Sequence, residues 1–127
     1  MNKLHKIRIP IYNENLYFQF GRADKLKDNL VKIGIPSHKI LDIRANILGR
    51  FTFYEDECKF VIWVRDPTIS ALSLSILVHE IEHFVYFFLD YKGFKHTDES
   101  DEAYAYLASY VFEETSNLIT KYNDLQK

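Results

Sequence analysis

The stretch Val78-His79-Glu80-Ile81-Glu82-His83-Phe84 lies near the middle of the 127-residue chain and reads H-E-x-x-H. On an α-helix, residues i and i+4 share one face, so His79 and His83 would present two imidazoles to one point. Glu80 would project beside that pair, where a metal-bound water would sit. Zinc-dependent hydrolases use this arrangement, with two histidine ligands and a glutamate as general base. The stretch therefore predicts a helix that carries a zinc site.

The neighbours of the motif are almost all apolar, among them Leu77, Val78, Phe84 and Val85. Burial of two histidines and a glutamate in such surroundings costs several kcal/mol unless partners satisfy them. Hydrogen-bonded core histidines are the structural alternative. A lone buried histidine is common, but this triplet is not, so the context favours a metal.

A catalytic zinc site needs a third protein ligand and an open position for water. A metzincin would place a histidine at position 89, which is Leu89 here, so that class is excluded. His96 follows His83 by thirteen residues and is one candidate for the third ligand. Glu102 is the better candidate, because it lies in the first turn of a predicted helix that can pack antiparallel to the motif helix.

The motif together with Gly93 and the run Glu102-Ala103-Tyr104-Ala105-Tyr106-Leu107 resembles gluzincin-type zinc metallopeptidases. It looks most similar to small metallopeptidases encoded by bacteriophages and prophages. The resemblance covers residues 51–114, and residues 1–50 carry no matching motif. The substrate-binding subdomain of the longer gluzincins has no counterpart that we can identify in the chain.

This resemblance implies a role for each matching residue. His79, His83 and Glu102 would bind Zn²⁺, and Glu80 would deprotonate the zinc-bound water during hydrolysis of a peptide or other amide bond. Tyr106, one turn after Glu102, would stabilise the oxyanion or support a ligand; the simpler interpretation is core packing. The implied partner is a peptide or protein substrate.

Charge and composition argue against nucleic acid and membranes as partners. The net charge of −2 gives no electrostatic footprint for nucleic acid or an anionic membrane. The most apolar stretch contains His79, Glu80, Glu82 and His83, which argues against a membrane span. A single cysteine and the lack of a signal-peptide pattern favour the cytoplasm, that of the host cell if the chain is phage-encoded, with a virion as the alternative. Nothing in the sequence specifies an oligomeric state.

Hydrophobic periodicity predicts an α+β fold, and the resemblance implies that residues 1–127 form one zincin-like domain. We expect a small antiparallel or mixed sheet packed against the motif helix and a C-terminal helix. The predicted strands are 6–12, 16–20, 51–54 and 59–64. Residues 40–44 fit a strand or a short helix, and the alternation of Leu41 and Ile43 with Asp42 and Arg44 favours the strand. The predicted helices are 23–33, 67–91 with Asp66 as cap and Gly93 as stop, and 97–122, followed by a frayed tail. Phe60 and Trp63 are expected either in the core or on an edge strand that holds an extended peptide.

Two further hypotheses stay open. The chain could be a non-catalytic, zinc-stabilised interaction module or virion component, for which the high aromatic content of 16% would supply a partner surface. It could also be a regulatory, metallopeptidase-like factor that acts on one protein partner.

Overall fold

The computed structural model describes residues 2–127 and has the predicted α+β composition, with three α-helices and one four-stranded mixed sheet. The chain divides into two units on either side of the Pro67–Thr68 bond. We call residues 2–67 the sheet unit and Thr68–Lys127 the helical unit.

The sheet unit contains β1 (His5–Ile9), β2 (Glu14–Phe20), α1 (Ala23–Lys32), a short 3₁₀ turn at Ser37–Lys39, β3 (Gly49–Tyr54) and β4 (Lys59–Val64). The strand order is β1-β2-β4-β3. The β1–β2 and β3–β4 pairs are antiparallel, as expected for hairpins, and β2 runs parallel to β4. The predicted mixed sheet is therefore confirmed.

One face of the sheet is covered by α1. Leu26 and Leu30 from the helix pack with Val61 and Trp63 from β4, and Ile35, Ile40 and Tyr54 complete this buried cluster. The helix ends as predicted at Gly34, whose φ of +102° is the left-handed conformation of a C-terminal glycine cap. The amides of Gly34 and Ile35 bond to Val31 and Leu30.

In the sheet unit one prediction is wrong, and one pair of alternatives is decided in favour of the core. Residues 40–44 form no strand, because Ile40 enters the core directly after the 3₁₀ turn and Ile43 packs against the same cluster without any ladder partner. β4 is also not an edge strand, since it pairs with β2 on one side and β3 on the other. Phe60 and Trp63 are therefore core residues, and the Trp63 Nε1–H donates to the carbonyl of Gly21 at 3.1 Å.

The helical unit consists of α2 (Ala71–Tyr91) and α3 (Asp101–Leu125), which pack against each other. The predicted cap at Asp66 is wrong, because Ser70 caps α2 by accepting the Ser73 amide at 3.2 Å. The end of α2 is as predicted, with Gly93 at φ +92°. The predicted frayed tail is wrong in its first part, since α3 continues to Leu125.

Length and composition alone would allow α2 to cross a membrane, and within residues 2–127 it is the one helix that meets this criterion. The core helix of a soluble protein meets it equally well. One face of α2 is in fact buried in the fold: Ser73, Leu77, Glu80, Ile81, Phe84, Val85, Phe88 and Leu89. The helix is therefore compatible with a soluble protein.

Candidate metal centre

The two histidines of the motif meet on the surface of α2. Their Nε2 atoms lie 3.0 Å apart, with the ring planes nearly perpendicular at 86°. Both side chains are exposed, whereas Leu77 and Ile81 on the other side of the helix are buried. The i, i+4 spacing therefore brings the imidazoles together, as the sequence predicts.

The spacing of the two Nε2 atoms suits a shared ion. Two nitrogens bound to one tetrahedral zinc at 2.0–2.1 Å would stand about 3.3 Å apart. The same contact can form without metal, with one imidazole donating N–H to the other according to tautomer. A metal ion would replace that proton, and the two Nε2 atoms would then supply two of its ligands.

The full predicted ligand set is not assembled. Across residues 2–127, no three side chains of histidine, cysteine, aspartate or glutamate converge in a group that could hold a metal. Glu102 lies in the first turn of α3 and is exposed, so it does not form such a group with His79 and His83. His96, the other candidate, instead contacts Asp101 at 2.9 Å between Nε2 and Oδ1. The two imidazole nitrogens are ligands that suit zinc, but no third ligand lies beside them within residues 2–127.

Glu80 is buried, unlike the two histidines that neighbour it on α2. Its side chain is buried, at 7% exposure, while His79 and His83 face solvent. Around an ideal α-helix, Glu80 stands about 100° from His79 and about 60° from His83, so it lies beside the histidine pair towards the buried face. As a buried carboxylate, Glu80 needs partners within the fold, and this requirement is independent of a catalytic role.

The two tyrosines that flank Ala105 differ in their exposure to solvent. Tyr106, predicted to assist the oxyanion, is 72% exposed. Tyr104 is buried, and its hydroxyl donates to the Phe94 carbonyl at 3.3 Å. Burial raises the pKa of Tyr104, and the nearby Asp90 carboxylate and Tyr86 add to that rise. At neutral pH Tyr104 therefore acts as a hydrogen-bond donor rather than as a base.

Tyr104 belongs to an aromatic cluster that the sequence analysis missed. Its ring lies 5.1 Å from that of Tyr86 and 4.5 Å from that of His96, between centroids. Tyr86 follows His83 by three residues and so shares its side of α2. This three-residue spacing was the sequence signal from which the position of Tyr86 beside His83 could have been predicted. The cluster joins α2, the connection to α3, and α3 itself.

A cavity of about 310 Å³ lies in the sheet unit, away from every predicted site residue in sequence. It is lined by Ala23, Asp24, Leu26, Lys27, Asp28, Ile40, Leu41, Asp42, Ile43 and Arg50. Arg50 donates from Nη2 to the Leu41 carbonyl at 3.2 Å, and Lys27 stands 3.5 Å from Asp42. The lining carries both acidic and basic side chains, so its charge does not indicate one ligand class.

No protein-family model matches the chain, and comparisons with curated proteins and with solved structures give no significant match. The resemblance to gluzincin-type metallopeptidases therefore stays a prediction that the motif and its spacing carry.

Proposed function

We propose that the chain is a zinc-dependent hydrolase of peptide or other amide bonds, with His79 and His83 as metal ligands. The observation that carries this proposal is the 3.0 Å approach of the two Nε2 atoms on an exposed helix face. Zinc is the default ion for a set of imidazole and carboxylate ligands. The substrate would be a peptide or a protein.

Glu102 is the third ligand and Glu80 the general base in this proposal. A bound zinc ion would supply Lewis acidity and a water of lowered pKa. Glu102 is exposed, whereas Glu80 is buried and would have to reach the water on the metal from that position. Tyr106 would contact the substrate oxyanion.

A non-catalytic, zinc-stabilised interaction module is the second candidate. One feature favours it: Glu80 is buried, whereas a general base has to reach the water on a metal held by the exposed histidines. In such a module the metal would contribute to structure or to partner binding without hydrolysis. For either function we propose a cytoplasmic location, in keeping with the single, unpaired Cys58.

Zinc content and peptidase activity test the proposal together. The wild-type protein, Glu80→Gln and the matched control Glu82→Gln are loaded with zinc and assayed on a peptide library. We expect all three to bind zinc, only Glu80→Gln to lose cleavage, and circular dichroism to show the same helix content in each.

The possible failures are distinct. If all three proteins bind zinc and none cleaves, the hydrolase is wrong and the interaction module stands. Cleavage by Glu80→Gln at the wild-type rate would remove Glu80 from the mechanism. If the wild-type protein binds no zinc, both functions are wrong.

A further inference from the structure

The histidine pair is an incomplete site on an open surface. It offers two nitrogen ligands, and the described chain, residues 2–127, brings no third histidine, cysteine or carboxylate to them. Structural zinc sites are almost always four-coordinate, with all four ligands from protein. Because both imidazoles face solvent, the missing ligands can come from a second molecule.

We propose that a second copy of the chain completes the site, so that one zinc ion binds His79 and His83 from each of two α2 helices. Most soluble homo-oligomers are two-fold symmetric, and such an interface brings the same patch of both copies together. Two antiparallel α2 helices that cross at the level of Ile81, midway along the axis between the two histidines, would place His79 of one copy opposite His83 of the other. Four imidazoles is a ligand set that zinc accepts. This inference rests on the metal binding proposed above and develops the non-catalytic candidate, because four protein ligands leave zinc no open position for the water that hydrolysis needs.

The surface around the histidines suits such a contact. Leu72 and Tyr86 lie seven residues before and after His79, which places them on the same side of α2. Both are exposed, Leu72 at 67% and Tyr86 at 44%. In the antiparallel arrangement, Leu72 of each copy lies within about one helical turn of Tyr86 of the other. Apolar contacts would therefore flank the metal on both sides.

The Glu82 carboxylates would make association of the two copies depend on the metal. Glu82 is exposed and adjacent to the histidines, so the two-fold axis would bring two Glu82 carboxylates near each other. Like charges across an interface oppose association. The two positive charges of zinc offset these carboxylates, whereas metal-free protein leaves them uncompensated. We therefore expect a dimer with zinc and a monomer without it.

Sedimentation and metal analysis on the full chain test this inference. Protein stripped with a chelator should sediment as a monomer of 15.1 kDa. Added zinc should double that mass and saturate at one ion for two chains. His79→Ala should lower zinc affinity by more than about 100-fold, beyond the loss that changes outside the ligand shell produce. It should also stay monomeric, while His38→Ala, at an exposed histidine of the sheet unit, should behave as wild type.

Other outcomes overturn the inference in recognisable ways. One zinc per chain on a monomer would mean that the ligand set is completed within the chain, which supports the hydrolase and contradicts the shared site. A dimer that forms equally without zinc, or in His79→Ala, would place the interface elsewhere. No zinc binding at all would end both this inference and the proposed function.

Discussion

The core of the sheet unit and the histidine pair of the helical unit use polar side chains differently. In the sheet unit, Gln19 is fully buried and its Oε1 accepts a hydrogen bond from Asn29 at 2.8 Å, and the Trp63 indole binds the Gly21 carbonyl. These groups hold the core together. In the helical unit, His79 and His83 point their nitrogens at each other in solvent. If the histidine pair binds zinc as proposed, folding stability and metal binding depend on separate residues, and mutations should separate them.

Removal of a core side chain from the sheet unit should have the largest effect. Trp63 has no exposed surface and loses both packing and a hydrogen bond in Trp63→Ala. We expect the free energy of unfolding to fall by about 3–5 kcal/mol, as large-to-small core changes do. Urea denaturation measures it. Ile11→Ala, at a side chain that faces solvent, is the control and should change stability by less than about 0.5 kcal/mol.

Loss of a motif histidine should remove only the contribution of the metal. At a zinc concentration 100 times the Kd, a single site adds about 2.7 kcal/mol to stability. We expect His83→Ala to lose that increment and to match wild type in the presence of a chelator, because its side chain is exposed. Thermal unfolding with zinc and with a chelator measures the stability that zinc adds and the stability of the metal-free protein. Destabilisation of the same size in the chelated variant would show that His83 supports the fold itself.

Gly34 and Gly93 offer a matched pair of helix ends, one in each unit. Their φ angles are +102° and +92°, and a Cβ at either position would meet no atom within 4 Å. The cost of Gly→Ala is therefore conformational, roughly 1–2 kcal/mol at each site. Denaturant titration of both variants checks it. A clearly larger loss at one site would show that the surrounding unit cannot adjust its helix end.

The smallest effect should come from the ion pairs of Lys39. Hydrogen bonds from Lys39 lower the pKa of Asp56, and those to Asp56 and Glu57 raise the pKa of Lys39. The stabilisation is thus complete above the unfolded pKa of Asp56 and below that of Lys39. It is lost as the pH falls through the lowered Asp56 pKa or rises through the raised Lys39 pKa.

Lys39→Met should therefore be less stable than wild type at neutral pH and equal to it in acid. Urea unfolding at the two pH values gives the comparison, with Lys25→Met on the exposed side of α1 as control. A pH-independent difference would mean that packing, rather than charge, accounts for the effect. A strong effect of the control would point to general charge balance instead.

Local signals in the sequence predicted much of the fold. Alternation located β2, β3 and β4 within two residues at each end, and Gly34 and Gly93 marked the ends of α1 and α2. These features depend on a residue and its near neighbours. The start of α2 was misplaced because Asp66 and Ser70 are both good caps, and Ser70 is the one whose oxygen accepts the Ser73 amide.

Long-range pairing could not be predicted in the same way. The apolar pattern of 40–44 suits a strand, yet Ile40 and Ile43 satisfy it by entering the core without a partner strand. The central position of β4 depends on β2, which lies far away in sequence. In the candidate site, helix periodicity brought His79 and His83 together, but the direction of Glu102 depends on how α3 lies, which no local spacing specifies.

The most direct test of the central claim, metal binding by His79 and His83, is to follow all five histidine side chains at once. Nitrogen-15 NMR of histidine-labelled protein reports the tautomer and ligation state of each imidazole. With added zinc, we predict that the Nε2 signals of His79 and His83 shift together and saturate together, while those of His5, His38 and His96 stay in place. Unchanged signals from His79 and His83, or a shift confined to His96, would contradict the claim.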